Sequence, residues 1–86
     1  MKLEIFAIRD NATGMYGTPM FLTTKGQAIR GFSDEVNRQD KDNMLNKHPE
    51  DFEMHHLGSF ETDTGVINAI TPKQVITAKE VTAPKQ

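Results

Sequence analysis

The chain has 86 residues, of which 36% are hydrophobic and 26% charged, and its net charge is −2. This composition predicts a single small globular domain over residues 1–81, followed by a frayed tail over residues 82–86. The absence of cysteine excludes disulfides and thiolate metal sites, and the acidic balance excludes DNA binding through a basic field of the whole molecule. No apolar run is long enough to span a membrane, and no signal-peptide core follows Met1, so we expect a cytoplasmic protein without membrane contact.

Strands are predicted on both sides of a loop at the start of the chain. Residues 3–9 alternate with apolar side chains on both faces, which is typical of a central strand. Residues 10–19 are turn formers throughout and predict the loop. Residues 20–22 form a short apolar run, which predicts a second strand or an extended lead-in to the next element.

A helix is predicted over residues 25–37. Thr24 and Gln27 have the spacing of a capping box at its start. Gly31 lies beside the apolar stripe, and we expect it to let the helix approach a strand closely. The stripe itself repeats at steps of three and four, as on one face of a helix, and comprises Ala28, Ile29, Phe32 and Val36.

The second half of the chain predicts a hairpin. Residues 39–51 are a long polar connection, after which residues 52–60 alternate as a strand does. Gly65 supplies the positive φ that a hairpin loop needs. A return strand is predicted over residues 66–70, and Pro72 is expected to end it.

One more short strand is predicted over residues 74–81. Together these elements predict an α+β fold, in which a mainly antiparallel sheet of about 4–5 strands packs one amphipathic helix on one face.

The histidines do not predict a metal site. His55 and His56 are neighbours on a strand, so their side chains point to opposite faces and cannot easily share an ion. Zinc needs three or four convergent ligands. We expect His56 at the rim of the core and His55 in solvent, while His48 shapes a turn before Pro49. The sequence therefore predicts no metal and no cofactor.

The acidic residues after the helix do not complete a calcium loop or a catalytic site. Asp40, Asp42 and Asn43 lack the glycine and the glutamate that a calcium loop places at fixed positions. No glycine-rich phosphate loop, nucleophile elbow or Ser/His/Asp constellation is present, so no enzyme is predicted. Tyr16, in a loop flanked by glycines, is the aromatic residue best placed to stack on a base.

Four cations on and after the helix are the candidate nucleic-acid contacts. Arginine and asparagine contact phosphates and base edges, and Asn37 lies beside Arg30 on the polar side of the helix. Asp34 lies between the arginines and could pair with either, so a solvated helix face is the alternative interpretation. The candidate residues are Lys25, Arg30, Arg38 and Lys41.

Several segments together resemble the small nonstructural protein of gokushoviruses, microviruses with circular single-stranded DNA genomes. The resemblance runs in order from about residue 3 to about residue 79. The segments are Ile5-Phe6-Ala7-Ile8-Arg9-Asp10, Ala28-Ile29-Arg30-Gly31-Phe32-Ser33-Asp34-Glu35-Val36-Asn37-Arg38, His48-Pro49-Glu50-Asp51-Phe52 and Leu57-Gly58-Ser59-Phe60.

This resemblance implies an early protein of the host bacterial cytoplasm that is not part of the virion. It implies a role in viral single-stranded DNA synthesis or DNA binding, and it supplies no catalytic residue. The first hypothesis is an accessory factor that contacts single-stranded DNA weakly and also binds a phage or host replication protein. The alternative is a homo-oligomeric protein-interaction module that binds a host or phage protein without touching nucleic acid.

Overall fold

A computed structural model describes residues 1–83 of the chain. It has the predicted α+β fold, with an antiparallel sheet and three helices. A single 3-10 turn, Pro49–Asp51, precedes the fourth strand. The elements in chain order are β1 (Lys2–Asp10), β2 (Met15–Tyr16), β3 (Met20–Leu22), α1 (Lys25–Asn37), α2 (Met44–Lys47), β4 (Phe52–Glu61), β5 (Ile67–Thr77) and α3 (Ala78–Val81).

The sheet has five strands, and β1 is central, as its sequence predicts. The strand order is β2-β1-β4-β5, and β3 pairs with β1 on the same side as β2. All pairings are antiparallel. Directly opposed residues of an antiparallel pair lie on the same face of the sheet, so the register assigns each strand residue to one face. The even-numbered residues Glu4, Phe6 and Ile8 of β1 face α1, and the odd-numbered ones face away.

The core lies between α1 and one face of the sheet. Ala28, Phe32 and Val36 of the predicted stripe are buried, while Ile29 is half-buried at its edge. They pack with Phe6, Met54 and Ala78, and burial of each large apolar side chain stabilises the fold by about 1.5–3 kcal/mol. A small set of contacts therefore holds the domain together.

The helix begins where the capping pattern predicts. The Thr24 hydroxyl oxygen accepts the Gln27 N–H at 3.1 Å. The side-chain oxygen Oε1 of Gln27 accepts from the backbone N–H and the hydroxyl of Thr23, not from Thr24. The capping box is thus only half formed, and the return bond reaches one residue further back.

The polar connection after α1 is more ordered than its composition predicts, because asparagine amides bind the last carbonyls of the helix. Asn43 is 3% exposed and donates to the carbonyls of Glu35 and Arg38 at 2.8 and 2.9 Å. Asn46 donates to the Val36 carbonyl at 3.0 Å. Carbonyls at a helix C-terminus have no partner within the helix, and these two side chains supply one. The segment also contains α2 and the 3-10 turn.

The prediction that Pro72 ends the return strand is wrong, because β5 continues to Thr77. Gly58 pairs with Ala69 and His56 pairs with Lys73, so residues 70–72 bulge out of the ladder. A proline needs no ladder hydrogen bond at a bulge on an edge strand, so the strand resumes beyond it.

Of the separate strand predicted over residues 74–81, residues 74–77 are extended but belong to β5, and the prediction is wrong for residues 78–81, because the chain turns into α3 after Thr77. The Thr77 hydroxyl accepts the Glu80 N–H, and the Glu80 carboxylate accepts from Thr77 in return, which is a complete capping box. Of the tail that is expected to fray, the Ala83 N–H donates to the Asn37 side-chain oxygen at 2.8 Å. The remainder, residues 84–86, lies outside the described residues.

Two glycines have opposite environments. Gly58 adopts a φ of +150°, and an added Cβ would collide with the Asn68 carbonyl oxygen and lie 3.1 Å from the Ala69 Cα. Gly31 is exposed, and a Cβ there would have no neighbour within 4 Å. The expected close approach of Gly31 to a strand is therefore wrong, and Gly58 is the glycine that permits close strand packing.

We expect Gly58→Ala to lower the free energy of unfolding by more than about 2 kcal/mol, because a rigid backbone must move to admit the methyl group. Gly31→Ala should raise the free energy of unfolding by up to about 1 kcal/mol through helix propensity. Urea denaturation followed by circular dichroism measures both. A stable Gly58→Ala protein would contradict the tight strand contact.

Candidate functional site

The four candidate cations do not form one patch. Lys25 is the first residue of α1, and Arg30 follows five positions later, which turns the two side chains about 140° apart around the helix. Lys41 lies in the loop before α2. Lys25, Arg30 and Lys41 are all exposed, and within residues 1–83 no carboxylate oxygen lies within 4 Å of their charged nitrogens.

Arg38 is engaged by carboxylates. It lies just beyond the helix in extended conformation, and its guanidinium contacts Glu35 at 2.7 Å and Asp40 at 3.0 Å. Its hydrogen bonds lower the pKa of the Glu35 carboxyl. The pKa of Asp40 is lowered first by the Asp42 backbone N–H and then by Arg38. The acidic partner is thus Glu35, not Asp34, and Arg38 offers little charge to a phosphate.

The surroundings of these cations are electrically neutral. Residues 25–42 contain four basic and four acidic side chains, so their charges cancel. Asn37, predicted to lie with Arg30 on the polar side, instead donates to the carbonyls of Ser33 and Val81, each at 2.9 Å. Its amide holds α3 against α1 and is not available to read a base. Of the predicted contacts, only Lys25, Arg30 and Lys41 can contact a phosphate without first breaking an ion pair.

His55 is buried, which contradicts the prediction that it faces solvent. It is 9% exposed, and its Nδ1 lies 2.9 Å from the Tyr16 hydroxyl. Its Nε2 lies 2.7 Å from a Glu53 carboxylate oxygen, and this hydrogen bond lowers the pKa of Glu53. The cause is β2, which pairs Tyr16 with Arg9 and so places the tyrosine ring over His55. A two-residue strand carries too weak a sequence signal to predict this contact.

Tyr16 is therefore held in place by side-chain contacts, and it remains 38% exposed. Its hydroxyl contacts His55, and the Arg9 guanidinium carbon lies 5.3 Å from its ring centroid. We describe Tyr16, His55 and Glu53 as the tyrosine latch, since they fasten the 11–19 loop to the sheet.

The other histidines lie where they are expected. His56 is half-buried at the rim of the core, 5.1 Å from the Phe6 ring and 2.9 Å from a Glu4 oxygen. His48 begins the 3-10 turn and lies 3.5 Å from Glu50. His48, Glu50 and Asp51 offer ligand atoms within 4.8 Å of one another, but the first two are exposed.

An apolar groove of about 390 Å³ opens between β3 and α1. Its only ionisable lining residue is Glu35, whose carboxylate is bound by Arg38. A cavity with one neutralised carboxylate lacks the set of acid, base and nucleophile that catalysis needs. Its apolar lining is formed by Ile8, Met20, Leu22, Ala28, Gly31 and Phe32.

The side of the sheet away from α1 carries a partly exposed apolar surface. Phe21 is 46% exposed and Ile67 is 60% exposed. The Phe21 and Phe60 rings meet edge to face with centroids 5.8 Å apart. The sequence signal for this surface is the presence of apolar residues on both faces of β1. We call this surface the open sheet face and define it by Leu3, Ile5, Phe21, Phe60, Ile67 and Ala69.

Among the described residues, no helix has the length and apolar character that a membrane crossing requires.

Comparison with known proteins points to one family. A family model described as "Phage ORF5 protein" matches residues 3–81. "Protein ORF5" of Chlamydia phage 1 is 34% identical over 67 residues, which cover 76% of this chain and 70% of that protein. No solved structure gives a significant match. Both matches agree with the resemblance to a small gokushovirus protein, and neither name describes an enzymatic activity.

The Glu53 carboxylate of the tyrosine latch should make the free energy of unfolding depend on pH in the acid range. The folded-state pKa of Glu53 lies below its unfolded value of 4.5, so its contribution is complete above pH 4.5 and is lost as pH falls through the folded pKa. Glu53→Gln should lower the free energy of unfolding at neutral pH by about 1–3 kcal/mol. The variant's free energy of unfolding should also fall less than that of the wild type as the pH is lowered.

Glu35→Gln is the matched control, because that carboxylate is 42% exposed and its ion pair is screened by solvent. Urea denaturation across the acid range measures all three proteins. An equal effect of the two substitutions would contradict a special role for Glu53.

Proposed function

Because the chain belongs to the phage ORF5 protein family, we propose that it is a non-enzymatic accessory protein that assists viral single-stranded DNA synthesis. It acts in the host bacterial cytoplasm, contacts single-stranded DNA weakly and also binds a phage or host replication protein. The apolar lining of the groove between β3 and α1, where Glu35 is the one ionisable residue, supports the non-enzymatic assignment.

The observation that carries the DNA contact is the exposure of Lys25, Arg30 and Lys41 without carboxylate partners in the described part of the chain. Each can neutralise one phosphate and release its counterion. Arg38 belongs to the same candidate set, but it must first leave Glu35 and Asp40. Three scattered cations in neutral surroundings support weak contact that lacks sequence preference.

The salt dependence of binding tests this contact. With three phosphates neutralised, log Kobs for a labelled oligonucleotide should fall against log salt with a slope of about −2, and each Gln substitution should reduce that slope by about 0.7. We expect this for Arg30→Gln and Lys41→Gln, with a smaller change for Arg38→Gln. Fluorescence anisotropy measures the binding.

Lys73→Gln is the charge-matched control, because Lys73 is exposed and lies on β5, outside the segment that carries the candidate cations. It should leave the slope unchanged. Absence of binding at low salt, where phosphate contacts are strongest, would refute the DNA contact.

The second candidate function is a protein-interaction module that touches no nucleic acid. The cancelling charges of residues 25–42 and the apolar side chains of the open sheet face favour it. Depletion of charge and enrichment of aromatic groups are typical of the centres of protein interfaces.

Affinity capture from infected cells tests the protein contact that both functions include. If the chain is a replication accessory, nuclease treatment of the lysate should leave a replication protein bound to the immobilised wild type. A retained partner that has no part in replication would favour the interaction module, and loss of every partner after nuclease treatment would refute the protein contact of both functions.

A further inference from the structure

We propose that Tyr16 is a covalent acceptor site for a phosphoryl group, with His55 as the general base that takes the tyrosine proton and Glu53 as the residue that orients His55. This site goes beyond the proposed function and depends neither on DNA contact nor on a protein partner. The chain itself is the acceptor and reacts once, so no substrate turnover is involved.

The tyrosine latch joins a nucleophile, a base and a carboxylate in one hydrogen-bonded chain. An ionised carboxylate only accepts hydrogen bonds, so the neutral His55 ring carries its proton on Nε2 and donates it to Glu53 over 2.7 Å. Nδ1 is then the unprotonated nitrogen, and the Tyr16 hydroxyl donates to it over 2.9 Å. A base that lies within hydrogen-bond reach of a hydroxyl, and is itself held by a third group, is the arrangement that activates a nucleophile.

Burial strengthens the base and leaves the nucleophile at the surface. His55 is 9% exposed and the Glu53 side chain 17%, and hydrogen bonds are electrostatically stronger in such surroundings than in water. The His55 hydrogen bond lowers the pKa of Glu53, so this carboxylate stays charged and stabilises the imidazolium that forms when His55 takes a proton. Tyr16 is 38% exposed and is the member of the chain that solvent reaches.

Arg9 supplies a positive charge beside Tyr16, which favours an anionic reagent. It pairs with Tyr16 on one side of β1 and with Glu53 on the other, so the three residues share one face of the sheet. Its guanidinium carbon lies 5.3 Å from the Tyr16 ring centroid, and its Nε donates to the Asn11 side-chain oxygen at 3.0 Å.

The two terminal nitrogens of Arg9 are not engaged by acidic groups. Across residues 1–83, no carboxylate oxygen lies within 4 Å of them. A guanidinium fork matches the oxygens of a phosphate group, so the chemistry beside Tyr16 fits a phosphoryl donor.

Backbone hydrogen bonds also fix the loop that carries Tyr16, so a buried polar chain is not needed merely to fasten it. The Asn11 N–H donates to the Asp51 carbonyl at 2.7 Å, and the Gly17 N–H donates to the Ile8 carbonyl at 2.8 Å. Burial of a charged carboxylate costs desolvation energy that an apolar contact in the same place would avoid. A chemical role for the chain accounts for this cost.

The phosphoryl donor is a phosphoric anhydride. The Tyr16 oxygen forms a bond to phosphorus while the bond between phosphorus and the bridging oxygen breaks. The electron pair of the broken bond leaves with the bridging oxygen, and the Tyr16 proton passes to Nδ1 of His55. Arg9 balances the negative charge of the phosphoryl oxygens. The imidazolium then returns its proton to water, and phosphotyrosine remains beside Arg9.

Incubation of the full chain with acetyl phosphate, a small phosphoric anhydride, tests this site. The chain has one tyrosine, so mass spectrometry for phosphotyrosine assigns the position directly and follows the rate. General base catalysis contributes about 10²–10⁴-fold in rate, so we expect His55→Gln to slow the modification at least about tenfold. Arg9→Gln should also slow it, because the anionic donor loses its cation.

Glu53→Gln is the more conservative variant, because the new side-chain oxygen still accepts from His55. It should slow the reaction less than His55→Gln, and it serves if His55→Gln does not fold. His48→Gln is the matched control, since His48 is an exposed histidine outside the tyrosine latch, and it should leave the rate unchanged. Circular dichroism of each variant establishes that it is folded before rates are compared.

The direction of the His55 effect separates activation from a structural role. If the latch only holds Tyr16, its loss frees the hydroxyl, and His55→Gln should react as fast as the wild type or faster. Either result would overturn the proposal. So would a wild-type chain that gains no phosphotyrosine in millimolar acetyl phosphate, or an equal loss of rate in His48→Gln. None of these results bears on the DNA titration or the affinity capture, which test the proposed function separately.

Discussion

The central strand of the sheet, β1, carries apolar side chains on both faces, and one helix covers one of these faces. The rest of the structure depends on this packing. Phe32 and Val36 of α1 pack on Phe6 and Met54, and these contacts form the core. A single 13-residue helix cannot also cover the opposite side. The alternate residues of β1 are therefore covered only by rings from neighbouring strands, which leaves an apolar surface in contact with water. The helix thus forms the core on one side of the sheet, and apolar side chains stay exposed on the other side.

Features that depend on neighbours in sequence could be predicted, and features that depend on distant partners could not. The bounds of α1 follow from Thr24 and the apolar stripe, which lie within a few residues of the helix they specify. The continuation of β5 past Pro72 depends on a bulge that exists only opposite β4. The burial of His55 depends on Tyr16, 39 positions away. Sequence patterns describe local periodicity, and none of these contacts is periodic.

The same distinction applies to the candidate site. A helical wheel groups Arg30, Asn37 and Arg38, because side-chain angle is all that it records. In the folded chain Arg38 has left the helix and binds two carboxylates, and Asn37 binds the backbone of α3. Polar residues near a helix end are needed to satisfy carbonyls that the helix itself leaves open. Polar residues that bind these carbonyls are no longer available to a ligand, although the helical wheel places them on the exposed surface.

The central position of β1 also determines the order in which the fold can assemble during translation. Its longest partner is β4, and residues such as Glu4 and His56 meet across 52 positions of chain. At about 5–20 residues per second, the ribosome needs roughly 3–10 s to deliver one after the other. During that interval the strands available to pair with β1 are the short β2 and β3. The β1–β4 ladder and the contact between the Phe21 and Phe60 rings can form only after β4 has been made.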